Sequence, residues 1–197
     1  MDQKSIAPEK RASIGARRNP ATEEAILEAA EALLREGGLA GFSIEAVARR
    51  ARAGKPTIYR WWPNKTKLLL EVYQRLKLKM EAVDTGAIEE DCVQFLLGLF
   101  AYWSAGPGQV FRSIFAEAQS DEASAEALRD YAANRRVHSA KMFERAIARG
   151  ELRGDANPVI AAEMIAAFAW SRLLTGRLDA DEAELRAIVR QMVGGMR

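Results

Sequence analysis

Apolar side chains recur along this chain at intervals of three and four residues, and no stretch alternates with a period of two for long enough to demand a strand. Ile26, Ala29, Ala30, Leu33 and Leu34 form a first stripe. Asn19 and Pro20 introduce it as an N-cap followed by proline in the first turn, and Gly37 and Gly38 stop it. Ile44, Val47, Ala48 and Ala51 form a second, shorter stripe behind Ser43 as its cap. The third is very short, running from Pro56 through Ile58 to Trp61, Trp62 and Pro63. Asn64 or Thr66 can cap a longer fourth helix carrying Leu69, Val72, Leu76, Met80 and Val83. Beyond it the pattern predicts helices over residues 88–104, 109–119, 123–148, 158–175 and 181–193. Gly106 with Pro107, Ser120 with Asp121, residues 150–158 and residues 176–180 break them. The sum is an all-α chain of about nine helices, a three-helix head followed by a larger helical body.

The second and third helices are the most informative part. They are short, basic and joined by a turn, which is the arrangement of a helix-turn-helix that lays its second helix in a DNA major groove. Gly54 is expected to supply the positive φ of that turn. A helix held down by one or two apolar residues leaves Lys55, Pro56, Thr57, Tyr59 and Arg60 free to meet bases and phosphates. Lys65 and Lys67 sit at the start of the fourth helix, where the helix dipole disfavours cations and a phosphate partner explains them better. Charge follows the same division. Residues 1–67 hold 13 Lys or Arg against 8 Asp or Glu, net +5, and residues 68–197 hold 16 against 19, net −3. Within the basic end, residues 1–18 form a polar arm with Lys4, Lys10, Arg11, Arg17 and Arg18, expected to be disordered without a partner and able to follow DNA.

Over about 60 residues this region resembles the N-terminal DNA-binding domain of TetR/AcrR-type transcriptional regulators. The resemblance rests on a first helix of the type AILEAAEALLREGGLAGFS and on a T-I-Y-x-x-[FW]-x-x-K signature. Here the signature residues are Thr57, Ile58, Tyr59, Trp62 and Lys65. It implies that Tyr59 and Lys65 contact phosphates, that Ser43 offers a hydroxyl and free backbone N–H groups to another, and that Trp62 locks the reading helix onto the head. It also implies a division into an arm (1–18), a helix-turn-helix domain (19–65) and a body for effector binding and dimerisation (66–197). The partners it implies are a pseudo-palindromic double-stranded DNA operator, a small apolar or amphipathic effector and a second copy of the chain.

The body carries many large apolar side chains spread over five predicted helices, as any helical core does. What the resemblance adds is a cavity among them, for which Trp103, Phe111, Phe115, Met142, Phe168 and Trp170 are the lining candidates. Glu117 and Glu163 lie near the apolar stripes of their helices, and His138 is the single histidine. The last two helices present Ile160, Met164, Ala167, Ser171 and Leu174, then Leu185, Ile188, Val189 and Met192, which the resemblance assigns to a dimer interface.

Composition removes other classes. The one cysteine, Cys92, cannot form an internal disulfide or a cysteine-based zinc site, and suits a reducing cytoplasm. No apolar run is long enough for a membrane span, and the first residues lack the apolar core of a signal peptide. No phosphate loop, HExxH pair or nucleophile elbow is present, and nothing around Cys92 suggests an activated thiolate, so no enzyme, cofactor or metal is expected. The rival expectation is a DNA-binding regulator with a closed body and no effector, controlled by a protein partner or by its own abundance.

Overall fold

Side-chain caps set the helix starts. Asn19 Oδ1 accepts from the Ala21 N–H at 3.0 Å, Ser43 Oγ from Ala46 at 3.1 Å, Asn64 Oδ1 from Lys67 at 2.8 Å and Asp121 Oδ2 from Ser124 at 2.7 Å. Asn157 and Asp181 do the same later in the chain. Each satisfies an N–H that the first helical turn leaves unpaired. The computed structural model describes residues 19–77 and 83–197, and among them are nine α-helices and no strand. They are α1 (Pro20–Gly37), α2 (Ile44–Ala51), α3 (Lys55–Trp61), α4 (Lys65–Lys77), α5 (Ile88–Ser104), α6 (Pro107–Glu117), α7 (Glu122–Ala148), α8 (Pro158–Leu174) and α9 (Glu182–Gly194). The basic arm and Met80, placed by the sequence pattern on the fourth helix, lie outside the described residues, and Val83, placed there too, is not helical.

Helices α1 to α3 and the first half of α4 form the head, with α1 packed on α2 and α4, and α3 packed on α2. Its core is Ile26, Ala30, Phe42, Val47, Ile58, Trp62 and Leu68, each no more than 3 % exposed. Arg50 clamps α2 to α1 with a two-pronged bond to Glu36 (2.6 and 2.7 Å), and Arg75 ties α4 to Glu24 and Glu31 of α1. The body continues the same core: α4 lies on α6 and α7, α7 on α8, and α5 on α9.

One link between head and body is polar and buried. Thr66, the second residue of α4, shares a 2.8 Å hydrogen bond between hydroxyls with Ser124 in the first turn of α7. Asn64 therefore caps α4, and Thr66 is spent on the body.

Two local expectations are corrected. Gly54 has φ −72° and ψ 138°, ordinary extended backbone at the N-cap of α3. The positive φ of the turn falls two residues earlier, on Arg52 (φ 51°, ψ 36°), because α2 ends in a left-handed cap whose N–H groups return to Ala48 and Arg49. Likewise α6 begins at Pro107, two residues before its expected start: Gly106 takes φ 120° and Pro107 occupies the first turn, where its missing N–H costs nothing.

Candidate functional site

The exposed face of the head is built by subtraction. Ile58 alone anchors the middle of α3, fully buried, and Trp62 closes its end, 1 % exposed, with its indole N–H donated to Glu71 of α4. Trp61 packs edge-on against Trp62 at 5.8 Å, and the Arg60 guanidinium lies 5.7 Å from the Trp61 ring centre. Everything else on α3 points outward. Lys55, Pro56, Tyr59 and Arg60 are exposed, Tyr59 at 46 %, and Thr57 is half-buried. Lys55 is held 3.2 Å from Glu45 of α2 in an exposed and therefore weak pair. The Glu45 carboxyl lies below its usual range, first through the backbone N–H it accepts and then through Lys55.

Lys65 stands exposed at the start of α4, its ammonium 5.6 Å from the centre of the Phe42 ring, a position fixed by packing. Ser43 uses its oxygen as the α2 cap, leaving its proton available. Ser43, Lys55, Pro56, Thr57, Tyr59, Arg60 and Lys65 thus all occupy the starts of α2 and α4 or the accessible part of α3.

The body holds a partly open cavity of about 120 Å³ between α4, α5, α6, α7 and α8. Its apolar wall is Phe95, Leu99, Trp103, Phe111, Ala162, Ala166, Ala167 and Trp170, and its polar wall is Tyr73, Lys77, Tyr131, Arg135, Arg136, Ser139 and Glu163. The aromatic groups are locked. Tyr73 stacks on Phe111 (4.6 Å between centres) and accepts the Trp103 indole N–H at 2.7 Å, while Tyr102 donates to the Tyr73 carbonyl at 3.2 Å. Burial pushes the Tyr131 phenol up to about 12, and the Tyr73 phenol further, so both act as neutral hydrogen-bonding groups.

Of the six expected lining residues, Trp103, Phe111 and Trp170 reach the cavity; Phe115, Met142 and Phe168 do not. Phe115 buttresses from behind, edge-on to Trp170 at 5.0 Å and to Phe111 at 5.3 Å. Phe168 turns toward Phe100 and the Arg172 guanidinium, and Met142 is buried two turns beyond Arg135 along α7, past the end of the cavity. Helical spacing identifies a buried face but not which part of it meets a void, hence the misplacement.

Most of the polar wall is not legible in the sequence. Arg135 and Arg136 lie on consecutive positions of α7, which sequence alone reads as solvated charge. Lys77 could have been suspected from its spacing four residues after Tyr73, one helical turn along the same face. Half-buried, with its ammonium 5.8 Å from the Phe95 ring centre, Lys77 is brought down to about 7 by burial first and by Arg135 second. Glu163 faces Arg136 at 3.0 Å on the rim, whereas Glu117 is exposed and plays no part in the wall.

Neither Cys92 nor His138 joins the cavity wall. Cys92 is 1 % exposed, and burial together with Asp91 and Glu89 pushes its thiol up to about 12, the opposite of an activated thiolate. Among the described residues no group of three or more His, Cys, Asp and Glu side chains is placed to hold a metal ion, and no helix is long and apolar enough to cross a membrane.

A third feature lies on the outer face of α8, where Ile160, Met164, Ala167, Ser171 and Leu174 are exposed in one stripe, Ile160 at 57 %. On α9 the expected interface residues Leu185 and Val189 are instead buried within the chain, against α5, and Ile188 and Met192 are half-buried. The alanines divide too: Ala161, Ala162 and Ala169 face inward, allowing α8 to lie close to its neighbours, and Ala167 is exposed at the edge of the cavity.

Comparison with known proteins covers both parts of the chain. The family model described as bacterial regulatory proteins, tetR family, matches residues 26–72, and that described as tetracyclin repressor-like, C-terminal domain, matches residues 82–192, more than half of the chain. The HTH-type transcriptional regulator YdeS of Bacillus subtilis is 28 % identical over 184 residues, 92 % of this chain and 93 % of the relative. The HTH-type transcriptional repressor SCO4008 of Streptomyces coelicolor is 29 % identical over 190 residues, 90 % and 96 % of the two chains. Among solved structures, the TetR family transcription regulator SCO0332 superposes with a TM-score of 0.77 at 27 % identity, over 89 % of this chain and 98 % of that one.

Proposed function

The chain belongs to the tetR family of bacterial regulatory proteins and is a DNA-binding transcriptional regulator, and from that premise we propose that it is a cytoplasmic homodimeric repressor released from a pseudo-palindromic operator by a small effector. The observation that carries the reading is the double membership of α4. Its first residue is Lys65, beside the reading helix, and Tyr73 and Lys77 on the same helix stand in the cavity wall. About 18 Å of continuous helix joins them, at 1.5 Å per residue. An effector that rearranges Tyr73 or Lys77 must move α4 or strain it, and α4 carries Trp62 through Glu71 and the body through Thr66. A ligand that favours the non-binding head geometry by about 3 kcal/mol weakens the operator complex roughly a hundredfold.

In this reading Lys55, Thr57 and Pro56 face base edges, and Ser43, Tyr59, Arg60 and Lys65 hold phosphates. Dimerisation is supported by the exposed α8 stripe, whose Ile160, Met164 and Leu174 are large apolar side chains left in water by the single chain. Two heads held by one body double the contact area and read two half-sites one helical turn or more apart.

The test is selection of bound sequences from a random DNA pool at near-physiological salt. Enrichment of a pseudo-palindrome is the expected result. A pool that stays random, with binding that vanishes as salt rises, overturns sequence-specific regulation in favour of nonspecific electrostatic binding.

A further inference from the structure

The cavity wall is not balanced in charge. Among the described residues three cations face it, Lys77 from α4 and Arg135 and Arg136 from α7, against one carboxylate, Glu163 from α8. Glu163 is already engaged by Arg136 at 3.0 Å. Among the described residues neither Lys77 nor Arg135 has a carboxylate partner, and the Arg135 Nε is buried with no hydrogen bond at all. Partly burying an unpaired cation is costly, and two of them facing the same space also repel one another. A nearby group senses the same field. His138, on the turn of α7 after Arg135, is held below the ordinary histidine value by burial and then by Arg135, Lys141 and Lys77.

Size limits the rest of the ligand. An engineered dry cavity of about 150 Å³ holds a benzene molecule. At about 120 Å³ this one has room for one ring or a short alkyl chain. Its apolar floor is aromatic, with Phe111 and Trp170 6.0 Å apart and steeply inclined to one another.

Resting on the effector reading above, we propose that the ligand of this cavity is a small organic carboxylate, with its anionic group between Lys77 and Arg135 and its ring or short chain against Phe111 and Trp170. The planar guanidinium of Arg135 and the point charge of Lys77 suit one carboxylate, the first through paired N–H donors and the second through its ammonium. The anion neutralises the charge excess, and Lys77 is on α4, so the group that recognises the carboxylate belongs to the helix that leads to the head.

The test uses three probes of the same shape: phenylacetate, phenylacetamide and 2-phenylethylammonium, titrated into the full-length protein at about pH 6.5, with the fluorescence of Trp103 and Trp170 as readout. Phenylacetate is expected to bind in about the millimolar range, as befits about ten heavy atoms. It should bind at least about tenfold more tightly than the amide, with the ammonium weakest. Lys77→Met and Arg135→Met should each remove most of that preference while leaving amide binding within about twofold, and Ala166→Phe, which fills the cavity, should abolish binding of all three. An amide that binds as well as the carboxylate, or a preference for the ammonium, overturns the charge assignment and leaves the effector reading standing. Failure of all three probes to bind overturns both.

Discussion

The head and the body of this regulator use opposite strategies. The head is solid: Ile58 and Trp62 hold α3 so completely that Lys55, Tyr59 and Arg60 are left outside as a projecting surface. The body is hollow: its aromatic core stops short of closing, and the residues with chemistry to offer, Lys77 and Arg135, are turned toward the gap. A surface that binds a polyanion needs only exposed cations on a rigid support, because water solvates them until the partner arrives. A pocket that binds a small molecule must be desolvated in advance, so its charges are maintained at a cost to stability until the ligand matches them. The same type of residue, a lysine on α4, is thus solvated at position 65 and partly buried without a carboxylate partner among the described residues at position 77.

The largest expected effect breaks the solid half. Trp62→Ala removes a buried indole and its bond to Glu71 and should cost about 3–5 kcal/mol, a large part of the stability of an ordinary domain. Denaturation and operator binding measured together check this: operator binding is lost while the dimer proposed on α8 persists.

Removing contacts without touching the core comes next. Lys65→Ala should weaken operator binding about tenfold and reduce the salt dependence by about one counterion per protomer, and Tyr59→Phe should weaken it less, both with unchanged dimerisation. Normal operator affinity in both variants would remove these two residues from the interface.

Lys77→Met has the opposite sign from most core substitutions, because it should stabilise. Lys77 is near 7 in the folded chain against an ordinary 10.5, so between those two values the unfolded chain holds one more proton and wild-type stability rises with pH. The penalty that methionine relieves is complete below pH 7 and gone above about 10.5. A gain of about 1–3 kcal/mol at pH 6.5, allowing for screening at a half-exposed ammonium, that shrinks steadily toward pH 10 is the expected outcome of chemical denaturation across that range. A variant that loses stability at pH 6.5 would show that Lys77 is a structural residue and would erase the contrast with Lys65.

The smallest effects sharpen the turn between α2 and α3. Arg52→Gly should stabilise by about 0.5–1 kcal/mol, since arginine pays a steric cost at φ 51° that glycine does not. Gly54→Ser should be neutral or stabilising by a few tenths of a kcal/mol, since its φ of −72° suits any residue and serine can cap α3. An added Cβ there meets only Pro56 at 3.6 Å and Thr57 at 3.9 Å, ordinary contacts. Thermal melts of the two variants distinguish this turn from one in which glycine carries the left-handed conformation.

Much of this protein is written in its local sequence. The spacing of apolar residues and the caps Asn19, Ser43, Asp121, Asn157 and Asp181 specify the nine helices of the described residues and most of their starts, because capping and amphipathic periodicity act within a few residues of each other. The exposed residues of α3 are legible for the same reason: in a helix of seven residues, the one or two that anchor it identify the rest by elimination. What only the tertiary structure decided lies between helices. Which of two possible caps serves α4, which residue of the turn takes the left-handed conformation, and which half of the α8 and α9 stripes remains free all depend on what packs opposite. The cavity is the extreme case. Its wall draws Tyr73, Trp103, Phe111, Arg135 and Trp170 from five helices spread over about half the chain, and a void is a failure of packing among distant segments, which no local pattern encodes.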